Sequence, residues 1–541
     1  MRGGVENPRG TIRVAPRAQC LYTTAIESHR QASLLDPREV LRGVFGYEDF
    51  RPGQEKIIAT VVGGRDCIGV MPTGAGKSLT FQIPARMLPG TVLVVSPLIS
   101  LMKDQVDALA RYGFRATVLN SSIDYETRRE RLQRLRAGEY ELVYVAPEGL
   151  EGSLRTMLAR MPVSLVVVDE AHCISEWGHD FRPAYRRLCG LKQELGGVPV
   201  LALTATATRR VAGDIIRQLG MVKPDGFKGS FFRANLRLWA HKKGDGRGSR
   251  QDLLGYVRGR RGESGIIYAL SRKNVDALAA FLAANGVRAL PYHAGLDEDA
   301  RARHQDAFAR DAVDVVVATI AFGMGIDKSN VRYVIHREMP RSIESYTQEI
   351  GRAGRDGCAS DCILLYSWAD VIAHERLQST IEDATVRNAA RAKTKAMFAL
   401  ADAPGCRHQR LVATFDETIS PCGESCDRCR GESLGDVLLA ARATGQAKRA
   451  GAGAAQAAAG ARPADADAAL FERLRVLRRS LADAEGVPAY IVFSDAVLAR
   501  MAAIRPTDEV GMRAVSGVGP AKLARYGAAF LQAIREGDAQ S

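Results

Sequence analysis

The sequence predicts an α/β protein with two tandem, doubly wound parallel-sheet domains, followed by a helical segment with clustered cysteines and a small all-α module. Short apolar runs alternate with stretches of helical periodicity from about residue 36 to 220, and the pattern repeats after Arg233. Four cysteines then gather between residues 406 and 429. An Ala/Gly-rich stretch at 441–463 separates them from a final amphipathic segment.

The composition excludes several classes of protein. The 541 residues carry 75 Lys and Arg against 61 Asp and Glu, a net charge of +14, and 46% of them are hydrophobic. These values are typical of globular proteins and exclude a wholly disordered or fibrous chain. Charged residues interrupt every apolar run before the roughly 18 residues that a membrane span needs, so no membrane association is expected. The surplus positive charge favours a polyanionic partner.

The cysteine count and the amino-terminal residues bear on location. Ten cysteines are too few for a disulfide scaffold of this size, which favours a reducing, cytoplasmic compartment. Residues 1–36 are rich in Arg, poor in acidic residues and lack the apolar core of a signal peptide, so secretion is not expected. We interpret them as a disordered extension or a start codon placed too far upstream, with an organelle transit peptide as the alternative.

Apolar runs give the predicted strands of both domains. In the first domain they are Val92–Val95, Leu142–Val145, Leu165–Val168 and Val200–Leu203. In the second they are 265–268, 289–290 and 313–318, with a helix over Asn274–Asn285. The predicted divisions are 1–36 for the extension, 37–222 and 223–372 for the two domains, 373–430 for the helical cysteine segment, 431–464 for the linker and 465–541 for the helical module. The linker is interpreted as a flexible tether, with a frayed helix as the alternative.

A phosphate-binding loop is predicted at Met71–Ser78, Met-Pro-Thr-Gly-Ala-Gly-Lys-Ser. It follows a predicted strand and precedes helical sequence, as this motif requires, although Met71 stands where the general pattern has Gly. Gly74 and Gly76 would turn backbone amides toward phosphates, Lys77 would reach the β and γ phosphates, and the Ser78 hydroxyl would ligate Mg²⁺. ATP and Mg²⁺ are therefore the predicted ligands.

Two further motifs fit ATP hydrolysis. Asp169-Glu-Ala-His172 follows a buried strand, where Asp169 would hold Mg²⁺ through water and Glu170 would orient or deprotonate the attacking water. A helix N-cap is the structural alternative for this acid pair. In Gln348–Gly357, Arg352 and Arg355 are three residues apart and would share a helix face, from which they could stabilise γ-phosphoryl charge across a domain cleft. Alone, that segment would be interpreted as a solvated basic turn.

These motifs, in this order, resemble those of the RecQ DNA helicases. The resemblance also includes Phe50–Gln54, Ser96–Gln105, Thr204–Thr206 and Ala321–Asp327, covers about residues 36–429 and resumes near 465. It implies RecA-like domains and an ATP- and Mg²⁺-dependent helicase that moves 3′ to 5′ on single-stranded DNA in DNA repair and recombination. Tailed or forked duplexes are the implied substrates, in a monomeric, cytoplasmic, nucleoid-associated protein of bacterial type, with single-strand-binding protein among the partners to be tested.

The resemblance also implies roles for individual residues. Gln54 would read adenine with Tyr47 or Arg51 against the ring, and Thr204 and Thr206 would link hydrolysis to domain movement. The segment Cys173–Tyr185 is similar to the aromatic-rich loop that couples single-strand contact to hydrolysis. The remaining implied roles are nucleotide binding by Thr73 and Asp327, catalysis by His172 and Gln348, and DNA contact by Ser96, Lys103, Trp177, Phe181, Arg182 and Thr319. Stacking of Trp177 and Phe181 on unpaired bases is chemically plausible, with core packing as the alternative for Phe181 and Tyr185.

The cysteine cluster predicts a structural Zn²⁺ site. Its four thiols, Cys406, Cys422, Cys426 and Cys429, would fill a tetrahedral coordination shell and leave no position for water. His408 is a substitute ligand, because the RecQ pattern generally has two residues where three separate Cys422 from Cys426. Cys358 and Cys362 have a comparable spacing but fall on a strand-like run, so we interpret them as core residues.

The carboxyl-terminal module resembles an HRDC domain. Its candidate DNA contacts are the turn Gly517–Gly519 with Lys522 and Arg525, and a solvated helix end is the alternative. RecQ helicases commonly carry a winged-helix module before this domain, whereas only about 35 residues separate Cys429 from Asp465 here. Such a short, Ala- and Gly-rich stretch cannot form one. Two functional alternatives remain at this stage, an RNA helicase and an ATP-switched nucleic-acid scaffold with little unwinding.

Overall fold

The computed structural model describes residues 36–97, 99–120, 123–176, 178, 180–246, 248–323, 328–435, 437–438 and 467–538. Within these ranges the chain forms two parallel sheets with helices packed on them, a helical cysteine segment and a carboxyl-terminal helical bundle. The extension predicted at 1–36 lies outside the described residues except for Asp36. No helix in the described part of the chain has the length and apolar character to cross a membrane.

The first sheet has seven parallel strands in the order β3-β4-β2-β5-β6-β1-β7. Their bounds are β1 Cys67–Val70, β2 Thr91–Val95, β3 Ala116–Leu119, β4 Leu142–Val145, β5 Val163–Val168, β6 Val200–Thr204 and β7 Asp225–Lys228. The helices around it are Pro37–Val40, Gln54–Val62, Leu79–Met87, Ile99–Arg111, Tyr125–Arg136, Gly152–Leu158, Leu191–Glu194 and Arg209–Gln218. The strands β1, β2, β4, β5 and β6 are buried along their whole length, because helices cover both faces of the sheet.

The second sheet has six parallel strands in the order β10-β11-β9-β12-β13-β8. They are β8 Leu236–Lys242, β9 Ser264–Tyr268, β10 Ala289–Tyr292, β11 Val315–Ala318, β12 Val331–His336 and β13 Ser360–Tyr366. Its helices are Arg250–Gly259, Arg272–Ala284, Glu298–Ala309 and Ile343–Ile350. The predicted doubly wound parallel architecture is confirmed in both domains.

Three predicted boundaries are corrected. The first domain does not end at residue 222, because β7 pairs with β1 and extends the first sheet to Lys228. The helical cysteine segment does not begin at residue 373, which falls inside the helix Trp368–Gln378. The predicted linker is not a tether from residue 431, because Leu434 and Leu438 are buried in the core of the second domain. The rest of that linker, from 439 to 464, lies outside the described residues.

The cysteine segment and the carboxyl-terminal bundle complete the chain. The cysteine segment contains Trp368–Gln378, Ala384–Asp402, Arg407–Ala413 and Asp427–Arg430. The bundle consists of Ala468–Glu485, Ala489–Val492, Asp495–Ile504, Glu509–Arg513 and Pro520–Asp538, and has its own apolar core.

The carboxyl-terminal bundle packs against both sheet domains. The backbone N–H of Gly517 donates to the Gly46 carbonyl of the first domain over 3.3 Å. A Cβ atom built on Gly46 would lie 2.2 Å from the Gly519 Cα, so glycine is required for this approach. On the second domain, Arg479 donates to the Asp311 carbonyl over 2.7 Å, and Arg475 reaches the Gly262 carbonyl. The bundle therefore spans the two domains.

Candidate nucleotide site and nucleic-acid interface

Strand order brings the predicted ATP motifs together. The strands β5, β6 and β1 are neighbours, and they end at Asp169, Thr204 and the phosphate-binding loop. The loop enters directly beside β6, since the Met71 N–H donates to the Thr204 carbonyl over 2.9 Å. The Asp169 N–H donates to Val95 of β2 over the same distance. This is the carboxyl edge of the sheet, where doubly wound folds bind ligands.

The phosphate-binding loop has the backbone that its glycines predict. Gly74 and Gly76 have φ of 87° and 81°, which residues with a Cβ rarely adopt. The Lys77 ammonium lies 3.4 Å from the Met71 carbonyl at the start of the loop. Ser78 directly precedes the helix Leu79–Met87, so the loop leads into a helix amino terminus, a position suited to phosphate.

Asp169 is partly buried, and the nearest described charges are the carboxylate of Glu170 and the ammonium of Lys77. Burial and the neighbouring Glu170, opposed by Lys77, raise the pKa of Asp169 to about 7. A cation beside this carboxylate would offset the cost of burying its charge. Asp169 therefore fits the predicted Mg²⁺ role.

His172 lies between Glu170 and Thr204 and hydrogen-bonds the threonine. The backbone of Glu170 is left-handed, with φ of 47°, an uncommon conformation that is enriched at functional sites. His172 Nδ1 lies 3.4 Å from Glu170 Oε2 and 2.8 Å from the Thr204 hydroxyl. The Thr204 hydroxyl also donates to the Thr206 carbonyl over 3.1 Å. The predicted catalytic acid is thus linked through His172 to the segment that follows β6.

The predicted arginine segment of the second domain lies beside the phosphate-binding loop, but Arg352 and Arg355 do not share a helix face, because the helix Ile343–Ile350 ends before them. The Arg355 Cγ lies 3.5 Å from the point where a Cβ on Gly74 would stand. Gly351 packs so closely on Thr73 that a Cβ there would lie 2.9 Å from the threonine side chain. Arg352 instead hydrogen-bonds the Gly323 carbonyl of its own domain. Of the two predicted arginines, Arg355 is therefore the one at the loop.

The side-chain amide of Gln54, predicted to read adenine, contacts the backbone of the phosphate-binding loop. The side chain is 1% exposed and donates to the Gly76 carbonyl over 2.8 Å, while its oxygen accepts from the Arg51 N–H. The amide is engaged with the loop backbone, because the helix Gln54–Val62 begins directly against it. Tyr47, predicted to lie against the adenine ring, is 42% exposed. Arg51 hydrogen-bonds the Gly74 carbonyl.

The predicted DNA contacts on the two sheet domains differ in their exposure. Lys103 is exposed on the helix Ile99–Arg111, and Thr319 lies at the end of β11. Ser96 is 2% exposed, so its side chain does not face solvent in this arrangement. Trp177, a predicted DNA contact, and Asp327, a predicted nucleotide contact, lie outside the described residues.

Phe181 and Arg182 belong to the aromatic-rich loop, Cys173–Tyr185, and each contacts a neighbouring charged residue. The Arg186 guanidinium lies 5.5 Å from the Phe181 ring, and Arg182 pairs with Asp180 over 3.1 Å. Lys393, from the long helix of the cysteine segment, approaches the Gly178 carbonyl at 3.5 Å. The loop therefore lies between the first domain and a basic helix of the cysteine segment.

The four cysteines form a compact ligand set. The sulfur atoms of Cys406, Cys422, Cys426 and Cys429 all lie within 4.8 Å of one another. Burial raises the pKa of Cys406, but hydrogen bonds from the Gln409 and Cys422 backbone and from cysteine thiols lower it overall to about 7. Four thiols at this spacing fit tetrahedral Zn²⁺, whose Zn–S distance of about 2.3 Å sets sulfurs about 3.8 Å apart. The predicted site is assembled.

The side chain of His408 points away from the predicted substitute role. Its Nε2 lies 3.0 Å from the Leu236 carbonyl and 3.1 Å from the Ser425 carbonyl, so it donates to main chain at the start of β8. Cys362 is buried on β13, in agreement with a core role, whereas Cys358 lies before that strand and is only partly buried, so its predicted core position is wrong.

The predicted DNA contacts of the bundle lie near its junction with the first domain. The Gly517–Gly519 turn packs on Gly46, and burial, reinforced by Arg111 of the first domain, lowers the pKa of Lys522 to about 8. Arg525 pairs with Glu485 over 2.8 Å. In this arrangement the turn faces protein.

Sequence reasoning missed Arg233 and Asn235, which lie between the two sheets. The Arg233 guanidinium donates to carbonyls on both sides of the cleft, and Asn235 donates to Gly354 and Cys358. The only available signal was an arginine in the short stretch between two domains. A single arginine outside any recognised motif is only weak evidence for a functional role.

Comparisons with known proteins agree with this architecture. Residues 51–215 match the DEAD/DEAH box helicase family, 249–357 the helicase conserved C-terminal domain, 368–430 the RecQ zinc-binding family and 467–534 the HRDC domain. Fold and site together define an ATPase of the two-domain helicase class.

Relatives narrow the class to one family. The chain is 37% identical to the ATP-dependent DNA helicase RecQ of Pasteurella multocida (strain Pm70), over 95% of this chain and 96% of that protein. It is 36% identical to the enzyme of the same name from Bacillus subtilis (strain 168), over 94% and 98%. A protein of Acanthamoeba polyphaga mimivirus, named as a candidate ATP-dependent RNA helicase, is 38% identical over 73% of this chain and 72% of its own length. The chain belongs to the RecQ family of ATP-dependent DNA helicases.

Proposed function

We propose that this protein is an ATP- and Mg²⁺-dependent DNA helicase that moves 3′ to 5′ on single-stranded DNA and acts on tailed or forked duplexes in DNA repair and recombination. The observation that carries the proposal is the cleft, in which Arg355 of the second domain meets the phosphate-binding loop of the first. A residue supplied across a cleft acts only when the two domains close, which ties hydrolysis to domain movement.

The roles of the site residues follow from their positions. Lys77 would neutralise the β and γ phosphates, and Glu170 would orient the attacking water, with His172 holding its carboxylate and Thr204. Mg²⁺, when bound, would neutralise phosphate charge, and Ser78 and Asp169 would hold it. Arg355 would stabilise the charge that develops on the γ-phosphoryl group.

The DNA path is proposed to run past the aromatic loop and the cysteine segment. Unpaired bases would stack on Trp177 and Phe181, while Arg182 and Lys103 would meet phosphates. Lys393 supports this path because it reaches Gly178 of the loop from the zinc-bearing segment. We also propose that the protein is a monomer and that it interacts with single-strand-binding protein.

The short stretch between the zinc segment and the HRDC domain affects how well the protein should open a duplex. The alignment with the Pasteurella relative is 608 positions long, whereas this chain has 541 residues, so the relative carries residues that this chain lacks. A missing wedge between the zinc segment and the HRDC domain would weaken strand separation without affecting hydrolysis. We therefore expect robust DNA-stimulated ATPase with weak opening of blunt duplexes.

Two assays test the proposal. ATP hydrolysis should rise far more with single-stranded DNA than with single-stranded RNA of the same sequence, and a larger rise with RNA would favour the RNA helicase suggested by the mimiviral name. Unwinding should require a 3′ single-stranded tail, with a 5′-tailed duplex as the matched control. Efficient opening of long blunt duplexes would show that another element acts as the wedge.

A further inference from the structure

Arg233 lies in the short connector between β7 and β8. β7 is an edge strand of the first sheet, and β8 is an edge strand of the second. Its Nη1 donates to the Gly351 carbonyl over 3.1 Å and approaches the Thr73 carbonyl at 3.4 Å, and its Nη2 donates to the Gly354 carbonyl. Thr73 belongs to the phosphate-binding loop, and the two glycines flank Arg352 and Arg355. One guanidinium thus joins the loop of one domain to the arginine segment of the other.

The charges around Arg233 argue against an ordinary structural ion pair. Its described hydrogen-bond partners are main-chain carbonyls rather than carboxylates. Burial lowers the pKa of Arg233 to about 10; the Cys362 thiol and the Asp356 carboxylate oppose this shift, whereas the positive charges of Arg355 and Arg51 add to it. Burying a cation beside two like charges is costly unless further anions offset them. Here the adjoining site is the one that would receive the phosphates.

The connector that carries Arg233 is fixed to the zinc-bearing segment. The Phe231 N–H donates to the Glu417 carboxylate over 2.7 Å, and the Phe231 ring stacks on Phe415 with centroids 4.2 Å apart. Lys228 also reaches the Phe415 carbonyl. The zinc segment therefore contacts both the end of β7 in the first sheet and the connector that carries Arg233.

Resting on the proposed ATPase, we propose that Arg233 is a positioning residue that holds the phosphate-binding loop and the Arg355 segment at the spacing required for hydrolysis. Its planar, multidentate guanidinium suits several carbonyls at once, which a lysine ammonium cannot match in geometry. Asn235 supports the same segment by donating to the Gly354 carbonyl over 2.9 Å. A cross-domain tie of this kind acts mainly in the closed, reacting state.

The test compares Arg233→Ala and Arg233→Lys with Arg237→Ala, since Arg237 on β8 makes none of the three described hydrogen bonds. We expect Arg233→Ala to lower kcat of DNA-stimulated hydrolysis about 10- to 100-fold, the size of effect that a small misplacement of reacting groups produces. The KM for ATP should change by less than about threefold, because ground-state binding depends chiefly on the phosphate-binding loop. Arg233→Lys should recover only part of kcat.

Hydrogen–deuterium exchange with a non-hydrolysable ATP analogue supplies a readout that does not depend on turnover. In the wild type, the loop around Thr73 and the segment 351–355 should become protected together. In Arg233→Ala only the loop should be protected, with zinc content and Tm unchanged. Joint protection or wild-type kcat in that variant would overturn the proposal, as would a fall in Tm that accounts for the lost rate. If the alanine variant fails to fold, Arg233→Lys carries the same two tests. A wild-type protein without DNA-stimulated hydrolysis would instead refute the proposed function.

Discussion

At the scale of single residues, the two acids of the candidate site lie in unfavourable settings. Burial and the neighbouring Glu170 raise the pKa of Asp169, and Glu170 has a left-handed backbone. Both features have an energetic cost that nucleotide, metal and water would offset on binding. The site is therefore arranged for the bound state.

Glu170→Gln should separate binding from hydrolysis. The amide keeps the size of the side chain but cannot accept a proton, so ATP should still bind while kcat falls at least about 10²-fold. Lys77→Ala should instead weaken nucleotide binding, since its charge acts on the ground-state phosphates. Equilibrium binding of a fluorescent ATP analogue together with steady-state ATPase would measure both effects. Wild-type turnover in Glu170→Gln would refute its assignment as the residue acting on water.

Arg355→Ala should bind ATP nearly as well as the wild type and lose most of its rate. The side chain reaches the loop from across the cleft, so its charge matters chiefly in the transition state, where such arginines contribute about 10³-fold or more. Arg376→Ala, on the helix Trp368–Gln378, serves as a surface control. If nucleotide affinity fell in step with the rate, Arg355 would be a binding residue only.

At the scale of elements, the aromatic loop and the zinc segment stand on either side of the proposed DNA path. The loop follows directly on the Asp169–His172 motif, and Lys393 of the zinc segment reaches Gly178. Any movement of the loop on DNA binding would therefore act close to Glu170.

Trp177→Ala should preserve basal ATPase and remove most of its stimulation by single-stranded DNA. A single base-stacking contact contributes roughly 1–3 kcal/mol, enough to lower the apparent DNA affinity by one to two orders of magnitude. ATPase titrated with oligonucleotide would show the change, and Trp368→Ala, an exposed tryptophan on another element, is the matched control. Unchanged stimulation would make Trp177 a packing residue.

Cys426→Ser should remove zinc and destabilise the protein rather than alter its chemistry directly. The segment around Cys426 is attached to β8, because the Leu238 N–H donates to the Ser425 carbonyl over 2.9 Å and Asp427 pairs with the buried Arg407 over 2.6 Å. We expect one Zn²⁺ per wild-type chain and a Tm lower by at least about 5 °C in the variant. Cys189→Ser, at an exposed cysteine, should change neither. Active, stable protein without zinc would contradict the assignment.

At the scale of the whole molecule, the carboxyl-terminal bundle contacts both sheet domains. Its Gly517–Gly519 turn abuts Gly46, while Arg475 and Arg479 reach the second domain. Such contacts must shift on at least one side when the cleft changes its opening.

Gly519→Val should release the bundle from the first domain. Added side-chain atoms would meet the Gly46 backbone, because even a Cβ would lie 3.1 Å from its Cα. We expect a larger radius of gyration by small-angle scattering and faster proteolysis between residues 439 and 466, with sheet-domain ATPase retained. Ala521→Val, at an exposed position two residues on, is the control. An unchanged radius and cleavage rate would show that the docking depends on the second domain alone.

The sequence by itself predicted the buried strands, the main motifs and the family of this protein. Buried β-strands are recognisable because parallel strands covered on both faces are apolar along their length, and the phosphate-binding loop, the acidic motif and the cysteine cluster each have a fixed local spacing. Motif order then indicated the family. These features are local in the chain, so no knowledge of packing was needed to find them.

Only the tertiary structure decided the rest, because it depends on residues far apart in the sequence. Strand order placed β7 in the first sheet and brought Arg355 to Gly74. Packing buries Gln54 against the phosphate-binding loop and Leu434 in the core of the second domain, and no sequence motif predicts the burial of either side chain. The proposed role of Arg233 depends on its hydrogen bonds to three main-chain carbonyls. Every residue has such a carbonyl, so the sequence cannot indicate which ones Arg233 contacts.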